Sequence, residues 1–126
     1  MPISLRRYPA IALLALACNA AGGAEPEAPP RVTFATTHGS FVLELDRASA
    51  PETVANFLRY VEDGFYRGTI FHRIIAGFMV QGGGFTAEFH RPATRAPIRN
   101  EADRAGANSR GTIAMARTSD PHSATA

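Results

Sequence analysis

Phe71-His72-Arg73-Ile74-Ile75-Ala76-Gly77-Phe78-Met79-Val80-Gln81-Gly82-Gly83-Gly84-Phe85 is the stretch on which the reading of this chain turns. One arginine and one glutamine stand in an otherwise apolar run. Phe71, Ile75, Phe78, Met79, Val80 and Phe85 supply apolar surface, while Arg73 and Gln81 supply a few fixed hydrogen-bonding groups, the usual make-up of a small-ligand pocket. Three successive glycines remove side chains after Gln81, so the backbone there is free to turn or to approach a ligand closely. Phe71 to Ile75 and Met79 to Gly82 read as adjacent strands separated by a bend at Ala76-Gly77, and the bend positions Arg73 and Gln81. No spacing in the stretch suggests a metal or a phosphate.

Working outward, Arg31-Val32-Thr33-Phe34-Ala35-Thr36 and Ser40 to Asp46 alternate apolar and polar residues around Thr37-His38-Gly39, a hairpin signal. Because strand side chains alternate, Phe41, Leu43 and Leu45 share one face, and Glu44 and Asp46 lie on the other as solvated charges. Ala50 to Gly64 predicts one helix, with Ser49 near the cap, Pro51 and Glu52 in the first turn and Gly64 at the end. Val54, Phe57, Leu58 and Val61 fall at i, i+3, i+4 and i+7, a stripe expected to pack on the sheet. This helix is scaffold. Beyond Phe85 the composition through Ile98 predicts a surface loop, Gly111 to Ala116 resumes an apolar strand pattern, and Thr118 to Ala126 is small and polar. There is no internal repeat.

At the other end, Arg6 and Arg7 precede an unbroken apolar run from Ala10 to Ala17, the pattern of a secretory signal peptide. Eight apolar residues fall short of the roughly 20 that a membrane-spanning helix needs. Residues 1–24 are therefore expected to be a signal peptide, 25–30 a linker too rich in Ala, Glu and Pro to bury a core, and 31–126 the folded domain. Cleavage after Ala24 would release the domain into the periplasm. Cleavage before Cys18, in a sequence resembling a bacterial lipoprotein box, would leave that residue as a lipidation site and a tether to the membrane. Cys18 is the single cysteine, which excludes an intramolecular disulfide.

All 13 basic residues are arginine, which excludes Schiff-base lysine chemistry and lysine-dependent phosphate loops. Loss of Arg6 and Arg7 with the leader takes the formal charge from +2 to zero. Six arginines lie between Arg91 and Arg117 without interleaved aromatics, so they read as solvated surface and not as a nucleic-acid face. His38, His72, His90 and His122 lack the spacing of a zinc site. His72 is expected to point to the opposite face from Arg73 and to be structural.

The central stretch closely resembles the signature of the cyclophilin family of peptidyl-prolyl cis-trans isomerases, which reads FHR, two aliphatics, PGFM, one residue, then QGG. A second segment, Asn100-Glu101-Ala102-Asp103 through Gly111-Thr112-Ile113-Ala114-Met115-Ala116-Arg117-Thr118, resembles the next block of the family in its bacterial periplasmic form. The resemblance runs from about Val32 to Ala126 and departs at Ala76, where the family usually has proline. Taken singly, Arg73 reads as a partner for Glu44 or Asp46 across a sheet, and Phe78 and Met79 as ordinary core. The joint match to a long signature reverses those readings.

The resemblance implies a mostly β fold, a cyclophilin-like antiparallel β-barrel with a flanking helix, expected to be incomplete at its C-terminal end because family members continue past the position of Ala126. It implies catalysis by Arg73 and Gln81, a proline pocket lined by Phe78 and Met79, and backbone pairing of the peptide along Ala116-Arg117. Many family members have asparagine in place of Arg117. No cofactor and no metal is implied. The expected partners are proline-containing peptides and unfolded exported proteins, bound by a monomer in the periplasm or cell envelope, with the membrane reached only through a lipid on Cys18. Two other readings stay open, a non-enzymatic peptide-binding or chaperone module and an inactive fragment.

Overall fold

The computed structural model describes residues 28–126; the expected leader, both cleavage positions and Cys18 lie outside the described residues. Among the described residues the first strand begins where the alternation does. Strand β1, Arg31–Thr36, pairs antiparallel with β2, Gly39–Glu44. The connecting turn is tighter than expected, because Gly39 joins β2 opposite Thr36 and leaves only Thr37 and His38 in the loop. Gly39 takes φ 121°, a conformation open to glycine, and the Thr36 hydroxyl closes the turn by donating to the Gly39 carbonyl at 2.7 Å.

The pairing places Val32 opposite Leu43 and Phe34 opposite Phe41 on one face, with the two rings stacked at 5.3 Å. On the other face Arg31 and Glu44 are register partners joined by an exposed ion pair of 2.6 Å, a contact contributing at most about 1 kcal/mol. Asp46 lies beyond the strand. Hydrogen bonds from the Ser49 side chain and N–H hold its carboxyl below the usual range. Both acids are therefore engaged locally, and neither is a partner of Arg73.

Helix α1, Pro51–Glu62, lays Val54 and Phe57 against Val32 and Leu45, with Phe34, Leu43, Leu58, Val61 and Tyr66 around them. The expected stripe is present, and it packs on the hairpin. Two further inward residues, Asn56 and Tyr60, lie outside it. Asn56 is 1% exposed, and its amide donates to the Thr125 carbonyl at 2.7 Å, which satisfies a group that would otherwise be costly to bury. The Ile98 N–H donates to the Ala124 carbonyl at 2.9 Å, and both residues are buried, so the region read as surface loop contributes one apolar anchor.

The helix start differs from the expectation. The N-cap is Ala50, which has no capping side chain, while the Ser49 N–H donates to Asp46. Glu101 takes over from a distance: its carboxylate accepts the N–H of Glu52 at 3.2 Å and of Thr53 at 2.8 Å. A negative charge on the first-turn donors satisfies orphan N–H groups and complements the helix dipole. Burial pushes the Glu101 carboxyl upward, but hydrogen bonds from Thr53 and Glu52 and the charge of Arg104 outweigh it, so its pKa lies below the ordinary value. A depressed carboxylate contributes stability above its unfolded pKa and loses it as pH falls through the folded one. Glu101→Ala is accordingly expected to cost roughly 0.5–2 kcal/mol at neutral pH. Urea unfolding should show the difference shrinking below about pH 4; a pH-independent deficit would contradict the assignment.

Strand β3, Thr69–Ile75, pairs antiparallel with β4, Met79–Thr86, which runs four residues further than the sequence pattern predicts. The two hairpins form separate two-stranded sheets, so the regular elements among the described residues are four strands and one helix and do not close a barrel. Closure needs a hydrogen-bonded neighbour on both sides of every strand, and each strand here has one. For the same reason Gly111 to Ala116, expected as a strand, is irregular among the described residues. Its apolar pattern meets no partner ladder, and Ile113 is 53% exposed.

Candidate functional site

The β3–β4 hairpin turns at Ile75-Ala76-Gly77-Phe78, where the Phe78 N–H donates to the Ile75 carbonyl at 3.1 Å and Gly77 has φ 73°. Ala76 fills the second turn position, which favours proline but accepts most residues. Its difference from the resembling signature therefore needs no compensating change. The turn sets the register Ile75 to Met79, Ile74 to Val80 and Arg73 to Gln81. Arg73 and Gln81 are thus cross-strand partners, and by alternation Ile75 and Met79 share their face.

Arg73 is exposed, and among the described residues its guanidinium has no ion pair or hydrogen bond; Glu44 is taken by Arg31 and Asp63 by Arg95. Gln81 and Met79 are half-buried. Phe78 stands at the tip of the turn, 77% exposed, beside exposed Ile74 and Val80. The hairpin therefore presents a guanidinium and an amide on one face with Ile75 and Met79, and leaves Phe78 at its tip and Ile74 and Val80 on its other face exposed. Ala116 and Arg117 lie outside both sheets and are exposed, and the Arg117 guanidinium donates to the Thr118 carbonyl at 3.1 Å. A cavity of about 420 Å³ lies at the start of α1 between Pro51, Glu52 and residues 99–104, and none of the expected site residues lines it. No group of three or more His, Cys, Asp or Glu side chains able to hold a metal occurs among the described residues.

The glycines after Gln81 serve the protein's own rings. A Cβ on Gly82 would lie 2.7 Å from the Phe71 ring, one on Gly83 3.0 Å from Tyr66, and one on Gly84 3.3 Å from His72. Their missing side chains make room for aromatic packing against β4, and Gly83 takes φ 84°, the conformational freedom expected of a glycine. His72 also meets the Phe85 ring edge-on at 4.8 Å, and its Nδ1 is buried without a hydrogen-bond partner among the described residues. Tyr66 was not legible as part of the site. Burial and the neighbouring Tyr60 push its hydroxyl up to about 12, so it is a neutral phenol throughout the physiological range.

Residues 31–126 match the family model described as cyclophilin type peptidyl-prolyl cis-trans isomerase/CLD. Over 95 residues the chain is 58% identical to peptidyl-prolyl cis-trans isomerase B of Escherichia coli (strain K12), covering 75% of this chain and 58% of that protein. It is 59% identical over 95 residues to peptidyl-prolyl cis-trans isomerase cyp18 of Streptomyces antibioticus, covering 75% of this chain and 57% of that protein. With peptidyl-prolyl cis-trans isomerase A of Dickeya dadantii (strain 3937) it shares 55% over 94 residues, covering 75% of this chain and 50% of the relative. The matched region thus spans between half and three-fifths of the length of these relatives.

Proposed function

Since the chain belongs to the family of cyclophilin type peptidyl-prolyl cis-trans isomerases, we propose that it accelerates rotation about X-Pro bonds in peptides and unfolded proteins. The observation that carries this reading is the juxtaposition of Arg73 with Gln81, the arginine exposed and without an ion-pair partner among the described residues.

The chemistry follows from the bond. Amide resonance sets a rotation barrier of about 18–20 kcal/mol, and interconversion without a catalyst takes roughly tens to hundreds of seconds. Resonance requires the proline nitrogen lone pair to lie in the carbonyl π-system, so a donor hydrogen-bonded at that nitrogen favours its pyramidal form and weakens the double-bond character. Arg73 is the donor in this proposal. Gln81 orders the guanidinium and the peptide carbonyl, and Phe78 and Met79 grip the proline ring. The backbone at Ala116-Arg117 pairs with the peptide. Each contact lowers the barrier only to the extent that it is stronger in the twisted state than in either planar one. No covalent intermediate forms and no cofactor takes part.

The same reading makes the two antiparallel hairpins sections of a barrel and the protein a monomer acting on exported clients. The basic and apolar start of the chain supports export to the periplasm or cell envelope, with Cys18 as a lipid anchor if cleavage precedes it. The test is cis-to-trans conversion of an Ala-Pro-containing peptide by the full chain. Acceleration is expected. No acceleration by a chain that circular dichroism shows to be folded overturns the enzymatic reading, and saturable binding of the same peptide would then identify a binding module.

A further inference from the structure

The loop that follows Ala116-Arg117 is closed on itself. The Thr118 N–H and hydroxyl donate to the Ser123 Oγ at 2.8 and 2.9 Å, and the Ser123 hydroxyl donates to the Asp120 carbonyl at 2.7 Å. The Asp120 N–H donates to the Thr118 hydroxyl at 3.2 Å, and the Asp120 carboxylate accepts the His122 N–H at 2.8 Å. Residues 118–123 are thereby cross-linked into one unit. Residues 113–116 make no hydrogen bond among the described residues and lie outside both sheets, so the place of this unit decides the place of Ala116 and Arg117.

What holds the unit is the segment before Glu101. The Ile98 N–H donates to the Ala124 carbonyl at 2.9 Å, and the Asn100 side-chain amide donates to the Pro121 carbonyl at 3.0 Å. The Asn100 N–H donates at 3.1 Å to His122, and there the acceptor is the imidazole Nδ1. Ile98 and Asn100 are two residues apart, as are Ala124 and His122, the spacing at which an antiparallel pair repeats its bonds. The side chain thus stands in for the carbonyl that a regular ladder would offer. From Asn100 the connection passes to Glu101, whose carboxylate accepts two N–H groups in the first turn of α1.

We propose that His122 is a positioning residue. By accepting the Asn100 N–H at Nδ1 it fastens the Thr118–Ser123 loop to the segment that caps α1, and so holds Ala116-Arg117 where a peptide backbone can pair with them. The consequence for turnover rests on the isomerase reading above, whereas the fastening of the loop does not. Asparagine should serve in its place, because its Oδ1 branches from Cγ as the imidazole Nδ1 does and also accepts. Pairing along the backbone beside the X-Pro bond is made to the planar and twisted forms alike, so its loss weakens binding and leaves the chemical step alone.

The experiment uses the full chain and its His122→Ala, His122→Asn and Arg73→Ala variants, with two readouts. One is kcat and KM, taken separately, on an Ala-Pro-containing peptide, and the other is hydrogen exchange at the Asn100 amide. In His122→Ala that amide is expected to exchange about two- to tenfold faster and KM to rise by a similar factor, the worth of one net hydrogen bond, while kcat stays within about twofold. His122→Asn should match the wild type in both readouts. Unchanged exchange or unchanged KM in a folded His122→Ala chain overturns the proposal. So does a His122→Asn chain as impaired as His122→Ala, or a fall in kcat as large as the rise in KM. Should His122→Ala unfold, Asn100→Ala, which frees the Pro121 carbonyl from the other side, takes its place, and an unchanged KM there overturns the proposal too. A wild-type chain without activity, or Arg73→Ala equal to wild type, defeats the isomerase reading instead. Exchange at Asn100 and the dissociation constant for the same peptide then decide the role of His122.

Discussion

Arg73→Ala is expected to lower kcat/KM for prolyl isomerisation by about 10²–10³, equivalent to about 2.7–4 kcal/mol of transition-state stabilisation, the range found when one preorganised donor is removed from an active site. Stability should barely change. Arg73 is exposed and its guanidinium makes no ion pair or hydrogen bond among the described residues, so truncating the side chain strands no buried partner. Arg73→Lys keeps the charge but replaces a planar fork by a flexible ammonium, and it should recover only part of the loss. The check is the rate of cis-to-trans conversion beside urea unfolding of the same preparations. Unaltered turnover in Arg73→Ala would remove the guanidinium from the mechanism. A large loss of stability would show that the side chain serves the fold, and the rate effect would then say nothing about chemistry.

Phe57→Ala should be the most damaging single core change. The ring is 7% exposed, lies 6.3 Å from Phe34 and 5.4 Å from Tyr66, and joins α1 to the first hairpin and to the turn that leads into β3. Truncating a buried phenylalanine costs roughly 3–5 kcal/mol through lost transfer energy and a residual cavity. Small domains hold only about 5–15 kcal/mol in total. The main buried cluster here contains just Val32, Leu45, Val54 and Phe57, so little remains to absorb the loss. The urea midpoint should fall steeply, with activity lost by unfolding at concentrations the parent chain tolerates. Phe57→Leu, which fills more of the space, should lose much less. A midpoint shift in Phe57→Ala no larger than that of a surface substitution would show that the cluster is not the structural centre.

The difference between these two residues is also the difference between what was readable and what was not. Local order was legible because it obeys local periodicities. Period two marked β1 and β2, a 3.6-residue stripe with Pro51 and Gly64 marked α1, and Ala76-Gly77 marked the turn between β3 and β4. The Arg73–Gln81 pair was legible as well, since a tight turn fixes which residues face each other. Glu101 was not, because a carboxylate capping a helix start 48 residues earlier in the chain leaves no short-range pattern. Asn56 was hidden for a similar reason. A polar residue off the apolar stripe reads as exposed until the Thr125 carbonyl is found beside it.

By itself, then, the sequence determined the family, the order of the elements and the pair of polar groups on the second hairpin, all of them written in spacing and residue type. Tertiary structure alone showed which neighbours the three glycines admit, the rings of Phe71, Tyr66 and His72. It also decided the register shifts beyond that pair, on either side of Phe71, since a ring's seat on a backbone depends on where distant segments meet in space, and one-dimensional periodicity carries no record of that.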